Sequence, residues 1–368
     1  MLIIEMQPSI RDSNTLHRST GHPSSRPSRF GLSLVTLLIT SLCLSACAPM
    51  LPKNASAADP VRPGAAANPV VIAHRGASGY CVEHSEAAKA LAHAQQADFI
   101  EQDVVLTKDE VFVVSHDITM EATTDVAEVY PDRKREDGKY YWADFTWDEL
   151  AKVSLRPRSG QYQGKLIRGA GASCGQRILR LEQEIELLRA LDLAFGKRTG
   201  LYVELKSPAF HRTQFGKSMG ELLLAKLREA NVPAEPNACL IQCFESDELV
   251  DLKTRLDCPY PLIQLLGGRE EPSFEKIATY AFGVGPSLTM LAKRSESGPV
   301  STGFVEKAHA AGLRVHPYTV RRDSQPPWSD SLEQTQDFLV DRLHVDGFFT
   351  DYPDLGRKKV DGPLASSP

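Results

Sequence analysis

The sequence is short of three things. It has seven cysteines in 368 residues, too few to build a disulfide-held scaffold of this length. It has no excess of basic charge: 42 Lys and Arg stand against 47 Asp and Glu, a net charge of −5, which argues against a nucleic-acid binder held by a basic surface. It also lacks an apolar run of the roughly 20 residues that a spanning helix needs; the longest, Phe30–Leu44, stops short. A polytopic membrane protein is therefore excluded. No segment of about 20–50 residues repeats, which sets aside solenoids and propellers. What is present is ordinary. Hydrophobic residues make up 42% and charged residues 24%, which is too apolar for wholesale disorder. At roughly 100–200 residues per domain, the length allows one large α/β domain or two smaller ones.

The N-terminal region reads as an address. Arg11, His17, Arg18, Arg26 and Arg29 precede the apolar run, and small residues follow it, the pattern of an export signal; an uncleaved signal anchor is the alternative. The run ends in Leu44-Ser45-Ala46-Cys47, which resembles the bacterial lipobox. That resemblance implies cleavage after residue 46 and lipid attachment at Cys47, hence anchoring to a bacterial membrane. Ala48 in the next position resembles the outer-membrane sorting pattern and implies a periplasmic face. Residues 47–69, rich in Ala, Pro, Asn and Gly, read as a flexible tether.

From Val70 onward, β-branched runs alternate with amphipathic stretches. The expected strands are Val70–His74, Phe99–Val105, Val111–His116, Leu201–Lys206, Cys239–Phe244, Leu262–Leu266, Gly283–Ser287, Val315–Val320 and Gly347–Thr350. Expected helices include Ser85–Gln96, Leu181–Leu193, Phe274–Ala281 and Thr302–Ala311. Such alternation indicates βαβ units and a parallel sheet. Only residues 106–110 separate the second and third runs, too few for a parallel crossover, so these two form an antiparallel hairpin. Eight parallel strands remain, which predicts a (β/α)8 TIM barrel with one extra hairpin strand, and an active site at the C-terminal strand ends.

Those ends are polar. The first run terminates in His74-Arg75-Gly76, the second carries Glu101-Gln102-Asp103, the third ends in Ser115-His116-Asp117, and the fourth in Glu204-Leu205-Lys206. Strand side chains alternate, so Glu101 and Asp103 share a face, as do Glu204 and Lys206. Three carboxylates then converge inside the barrel, where an isolated charge costs several kcal/mol. A cation relieves that cost, and an all-oxygen set suits Ca²⁺ or Mg²⁺. Ion pairs with Arg75 and Lys206 are the alternative.

The ordered series from His74-Arg-Gly-Ala-Ser-Gly-Tyr80 and Glu83-His84 through Glu101-Gln-Asp103, Thr107-Lys-Asp109, Ser115-His-Asp117, Glu204-Leu-Lys206, Gln242-Cys-Phe244, Pro317-Tyr-Thr-Val320 and Phe349-Thr-Asp-Tyr-Pro353 resembles the glycerophosphodiester phosphodiesterases, most closely the periplasmic bacterial type. The resemblance implies a metal-dependent hydrolase that releases sn-glycerol 3-phosphate and an alcohol from substrates such as glycerophosphocholine or glycerophosphoethanolamine. It implies that Glu101, Asp103 and Glu204 hold a divalent metal, usually Ca²⁺, and that His74 and His116 form the general acid–base pair. It also implies that Arg75 and Lys206 meet the phosphate oxygens, with Tyr318 lining the pocket. In the family the neighbouring glycerol hydroxyl attacks first, giving a cyclic phosphate that water opens. A lysophospholipase D-like hydrolase, or a surface lipoprotein acting as a binding module, are the rival readings; the second expects loss of the histidines or carboxylates, and all are present.

Three details depart from the pattern or extend it. Glu110 stands where relatives have Gly, so the hairpin turn is expected to be wide or strained. Residues 118–180 exceed an ordinary βα loop and are expected to form a small cap over the strand ends, with Thr146 capping a helix. Glu83 supports either the site or a surface ion pair. The barrel is expected to span 70–357, followed by a flexible tail over 358–368. Cys81 with Cys174, and Cys239 with Cys258, are the candidate disulfide pairs.

Overall fold

Period-two alternation decides the architecture. A computed structural model of the chain describes residues 69–158, 161–162, 165–166, 176–268 and 271–362; the signal, the tether, Cys47 and Cys174 lie outside the described residues. The principal sheet has nine strands: β1 (Val70–Ala73), β2 (Phe99–Leu106), β3 (Phe112–Val114), β4 (Gly200–Leu205), β5 (Cys239–Cys243), β6 (Leu262–Leu266), β7 (Gly283–Pro286), β8 (Arg314–Val315) and β9 (Gly347–Thr350). The order β8-β7-β6-β5-β4-β2-β1-β9 is parallel throughout, and β3 pairs antiparallel to β2. Hydrogen bonds from Asp346 to Val315 and from Phe349 to Pro317 bring β9 to the segment after β8, so the barrel nearly closes.

Ile72, Phe99, Tyr202, Leu240, Ile263 and Phe349 form an apolar layer inside the barrel. Two residues further along the same strands come His74, Glu101, Glu204 and Gln242. The residues between them, such as Ile100, Val203 and Ile241, belong to the main core that packs the helices on the outside. One alternation thus makes an apolar floor and a polar top.

Most element bounds agree with expectation within two residues. The strand expected at Val315–Val320 ends at Val315: Pro317 has no N–H for the ladder, and only single bridges at Tyr318 and Val320 continue it. The helix expected over Phe274–Ala281 stops at Ile277. The expected tail is corrected as well. The last helix runs Pro353–Asp361, held by Arg357 on Asp98 (2.5 Å) and Lys359 on Asp337 (2.7 Å) and Asp341 (2.6 Å), so residues 358–361 are helix. Cys239 and Cys258 are separate buried thiols, not a bridge, and Cys81 and Cys243 are free as well. Glu110 does take the left-handed conformation, at φ 61.

The described part of the insertion has its own core. Met120, Val126, Tyr140, Trp142, Phe145, Leu150 and Leu155 pack on Val105 and Val113 of the β2–β3 hairpin. Thr146 caps the helix Trp147–Leu150 in a reciprocal box with Glu149. The described part of the insertion therefore rests on the hairpin flank, and none of its described residues lines the cavity at the strand ends.

Candidate active site

One cavity opens at the C-terminal strand ends, lined among others by His74, Arg75, Glu101, His116, Glu204 and Lys206. Every sequence-expected site residue of the barrel lies in it or beside it. Asp103, two residues past Glu101 on β2, lies beside it, fully buried. The register that pairs Asp103 with Glu204 across β2 and β4 brings their carboxylates together, and with Glu101 they offer oxygens all within 4.8 Å of one another.

Charge crowding is visible in the acidities. Burial and the neighbouring Asp103 and Glu204 push Glu101 well above its ordinary range, and burial with Asp103 pushes Glu204 up to about 8, against the pull of Lys206. Burial also opposes an ionised Asp103, but Lys206, His116 and His84 outweigh it and hold that carboxyl low. Lys206 Nζ lies 2.5 Å from Glu204 and 3.9 Å from Asp103, and Arg75 Nε lies 3.4 Å from Asp103. The ion pairs expected as the alternative therefore exist. They do not complete the site, because Asp103 Oδ1 is buried with no hydrogen-bond partner. An oxygen-only set of three carboxylates with an unsatisfied acceptor fits a hard divalent cation.

Each histidine is held by a carboxylate on Nδ1. His74 Nδ1 lies 2.6 Å from Asp351 Oδ1, and His116 Nδ1 lies 2.6 Å from Asp117 Oδ1. A carboxylate can only accept, so each Nδ1 carries the hydrogen and each Nε2 is left for chemistry. Burial, then the Arg75 charge, lowers both imidazoles, His116 to about 4 and His74 well below its usual value. Either can take a proton from a hydroxyl, and the one that has done so can return it.

The first loop is fixed by the same groups. Arg75 takes φ 58; its N–H donates to Glu101 Oε2 at 2.9 Å, and its carbonyl accepts from His84 N at 3.0 Å. Gly76 follows at φ 83, where an added Cβ would sit 2.7 Å from the Ala88 backbone, so the turn can press against the first helix only as glycine. His84 Nε2 reaches Asp103 Oδ2 at 2.8 Å. Glu83, left open between site and surface, belongs to the site: Arg75 Nη1 donates to it at 2.9 Å. Tyr318 lines the cavity with its ring against Phe244, centroids 5.9 Å apart, and its hydroxyl donates to Leu266 O.

The sequence reading gave no role to Asp117, Gln242, Phe244, Asp351, Arg158 or Arg321. Two of these carried a signal. Gln242 lies two residues past Leu240 and Asp351 two past Phe349, so the alternation that placed Glu101 points both inward. Gln242 Nε2 donates to Glu101 Oε1 at 2.9 Å. Arg158 had no local signal.

A family model described as the glycerophosphoryl diester phosphodiesterase family matches residues 74–355. The chain is 34% identical over 328 residues to a glycerophosphodiester phosphodiesterase of Haemophilus influenzae, covering 80% of this chain and 90% of that one. It is 33% identical over 337 residues to one of Treponema pallidum, covering 82% and 94%. Among solved structures, an Oleispira antarctica phosphodiesterase in complex with the product sn-glycerol 3-phosphate superposes with a TM-score of 0.59 at 20% identity, covering 80% of this chain and 97% of that one. At that identity the likeness is one of fold.

Proposed function

Because this chain belongs to the glycerophosphoryl diester phosphodiesterase family, we propose that its cavity takes soluble glycerophosphodiesters such as glycerophosphocholine and glycerophosphoethanolamine and releases sn-glycerol 3-phosphate and the alcohol. The observation that supports this reading is the meeting of two carboxylate-held imidazoles, three buried carboxylates and two cationic side chains around one cavity.

Glu101, Asp103 and Glu204 would hold the divalent cation, Ca²⁺ with Mg²⁺ as the substitute, and when bound it supplies positive charge to the phosphoryl oxygens. Arg75 and Lys206 add fixed cationic donors on the same group. Arg75 Nε is buried and makes no hydrogen bond, lying 3.4 Å from Asp103. His74 and His116 act as the acid–base pair. One Nε2 removes the proton from the attacking hydroxyl, and the other, entering the reaction as the imidazolium, delivers its Nε2 proton to the oxygen of the departing alcohol. Asp351 and Asp117 hold the rings in the tautomer this needs and stabilise whichever ring becomes charged. Phe244 and Tyr318 shape the wall beside the phosphate.

The test is release of sn-glycerol 3-phosphate from glycerophosphocholine by purified, Ca²⁺-loaded protein. No release under those conditions defeats the proposal. We further propose that the mature chain is exported and anchored through lipid on Cys47 at the periplasmic face of the outer membrane. Palmitate labelling in cells that persists in Cys47→Ser would refute the anchor.

A further inference from the structure

Glu83 lies on the loop after β1 and Asp117 on the loop after β3, and one side chain from the insertion joins them. Arg158 donates through Nε to Glu83 Oε2 at 2.8 Å, through Nη2 to Glu83 Oε1 at 2.5 Å and through Nη1 to Asp117 Oδ2 at 2.5 Å. The remaining oxygen of Asp117 accepts from His116 Nδ1, and Oε1 of Glu83 accepts from Arg75 Nη1. The result is an unbroken hydrogen-bonded run, His116–Asp117–Arg158–Glu83–Arg75, in which each carboxylate lies between two donors. Its side chains are mostly buried, from 32% exposed at His116 to 11% at Arg75.

The geometry points to Arg158 as a positioning residue for the phosphodiester reaction, one that sets the acid–base ring of His116 and the phosphate donor Arg75 at the same time. This rests on the function proposed above, and it gives the insertion a part in chemistry although none of its described residues lines the cavity.

Two effects follow from the geometry. Glu83 stands between two guanidinium groups. Arg158 takes both its oxygens, and Arg75 makes a single hydrogen bond to it through Nη1 while its Nε lies 3.4 Å from Asp103. Without Arg158, the carboxylate is free to clasp Arg75 as a bidentate pair, which draws the guanidinium away from the phosphate. At the other end, Asp117 loses the cation that fixes its second oxygen, and the His116 ring loses a rigid partner. Burial opposes ionisation of both carboxylates. Even so, Arg75 and Arg158 hold Glu83, and His116 and Arg158 hold Asp117, well below the usual carboxylate range.

The test compares wild type, Arg158→Ala and the double variant Arg158→Ala with Glu83→Gln. The readouts are kcat and KM for glycerophosphocholine, and the calorimetric Kd for sn-glycerol 3-phosphate. Arg158→Ala is expected to raise KM and Kd about tenfold and to lower kcat about tenfold. Adding Glu83→Gln removes the charge that would capture Arg75, so KM and Kd return to within about threefold of wild type while kcat stays low. A residue that merely held the insertion in place would show no such split. Arg158→Gln, which keeps the bulk of the side chain, replaces the alanine variant if that one fails to fold. Values within twofold of wild type for the first variant overturn the inference, as does failure of Glu83→Gln to recover KM and Kd. Wild-type protein that binds sn-glycerol 3-phosphate yet cleaves no diester would instead refute the function, leaving the Kd comparison to judge Arg158.

Discussion

Replacing Asp351 by Asn tests whether His74 is an acid–base group or only a core histidine. Asp351 is fully buried, and its Oδ1 lies 2.6 Å from His74 Nδ1 while Arg321 Nε lies 3.2 Å from its Oδ2. Asn keeps the shape and removes the charge. A hydrogen bond to a charged group contributes about 1.5–3 kcal/mol, and the imidazolium formed when His74 takes a proton would lose that support. The neutral amide can also present its NH₂ group to Nδ1, turning the ring hydrogen toward the substrate side. Since about 1.4 kcal/mol is a factor of ten in rate, kcat should fall about ten- to a hundredfold. KM should stay within about threefold, because Asp351 is not among the residues lining the cavity. Arg321 is 19% exposed and can rehydrate, so the fold should survive with a modest drop in Tm. The assay is steady-state release of sn-glycerol 3-phosphate at saturating metal, with Tm measured alongside. A kcat within threefold of wild type, or a rise in KM alone, would refute the role given to the Asp351–His74 pair.

Three further outcomes are expected. Added Ca²⁺ should raise the Tm of the wild type, since a ligand at a hundred times its Kd stabilises by about 2.7 kcal/mol, and Glu204→Gln should lose most of that rise; an equal rise in the variant removes Glu204 from the ligand set. His211 is fully buried with neither ring nitrogen hydrogen-bonded, and burial lowers it from 6.5 to about 4. The unfolded chain therefore binds a proton below pH 6.5 that the folded chain refuses, so stability falls as pH drops from about 6.5 to about 4, by up to about 3 kcal/mol. His211→Leu should flatten the decline of the urea midpoint between pH 7.5 and 5, and an unchanged decline counts against it. Gly200→Ala would place a Cβ 2.3 Å from the Phe99 ring and 2.8 Å from Asn237 O, overpacking the apolar floor at a cost of about 1–3 kcal/mol; a Tm equal to wild type would show the floor is looser than it looks.

The barrel was legible because each strand is short, and its inward and outward residues alternate with the period the pleat imposes. The expected strand Val111–His116 reads as a hairpin partner from loop length alone, since five residues cannot carry a crossover. The bounds that failed did so for local reasons. Pro317 broke a β-branched run, and the helix at Pro353–Asp361 continued into a segment whose polarity read as tail. The insertion was legible as an insertion, but not which way its described part packs. Its apolar residues could equally have faced the strand ends, and what fixed their direction was the apolar patch of Val105 and Val113.

Taken by itself, the sequence determined which side chains share a strand face, and hence that Glu101, Asp103 and Glu204 converge with His74 at the top of a barrel. That information is local, carried by residues two apart. Only the tertiary structure decided which charges hold the catalytic groups. Asp351 meets His74 across 277 residues of chain, Arg158 meets Glu83 across 75, and Gln242 meets Glu101 across 141. No periodicity spans such separations. They are set by barrel closure and by the docking of the insertion on the hairpin, where burial makes a charge without a partner too costly to keep.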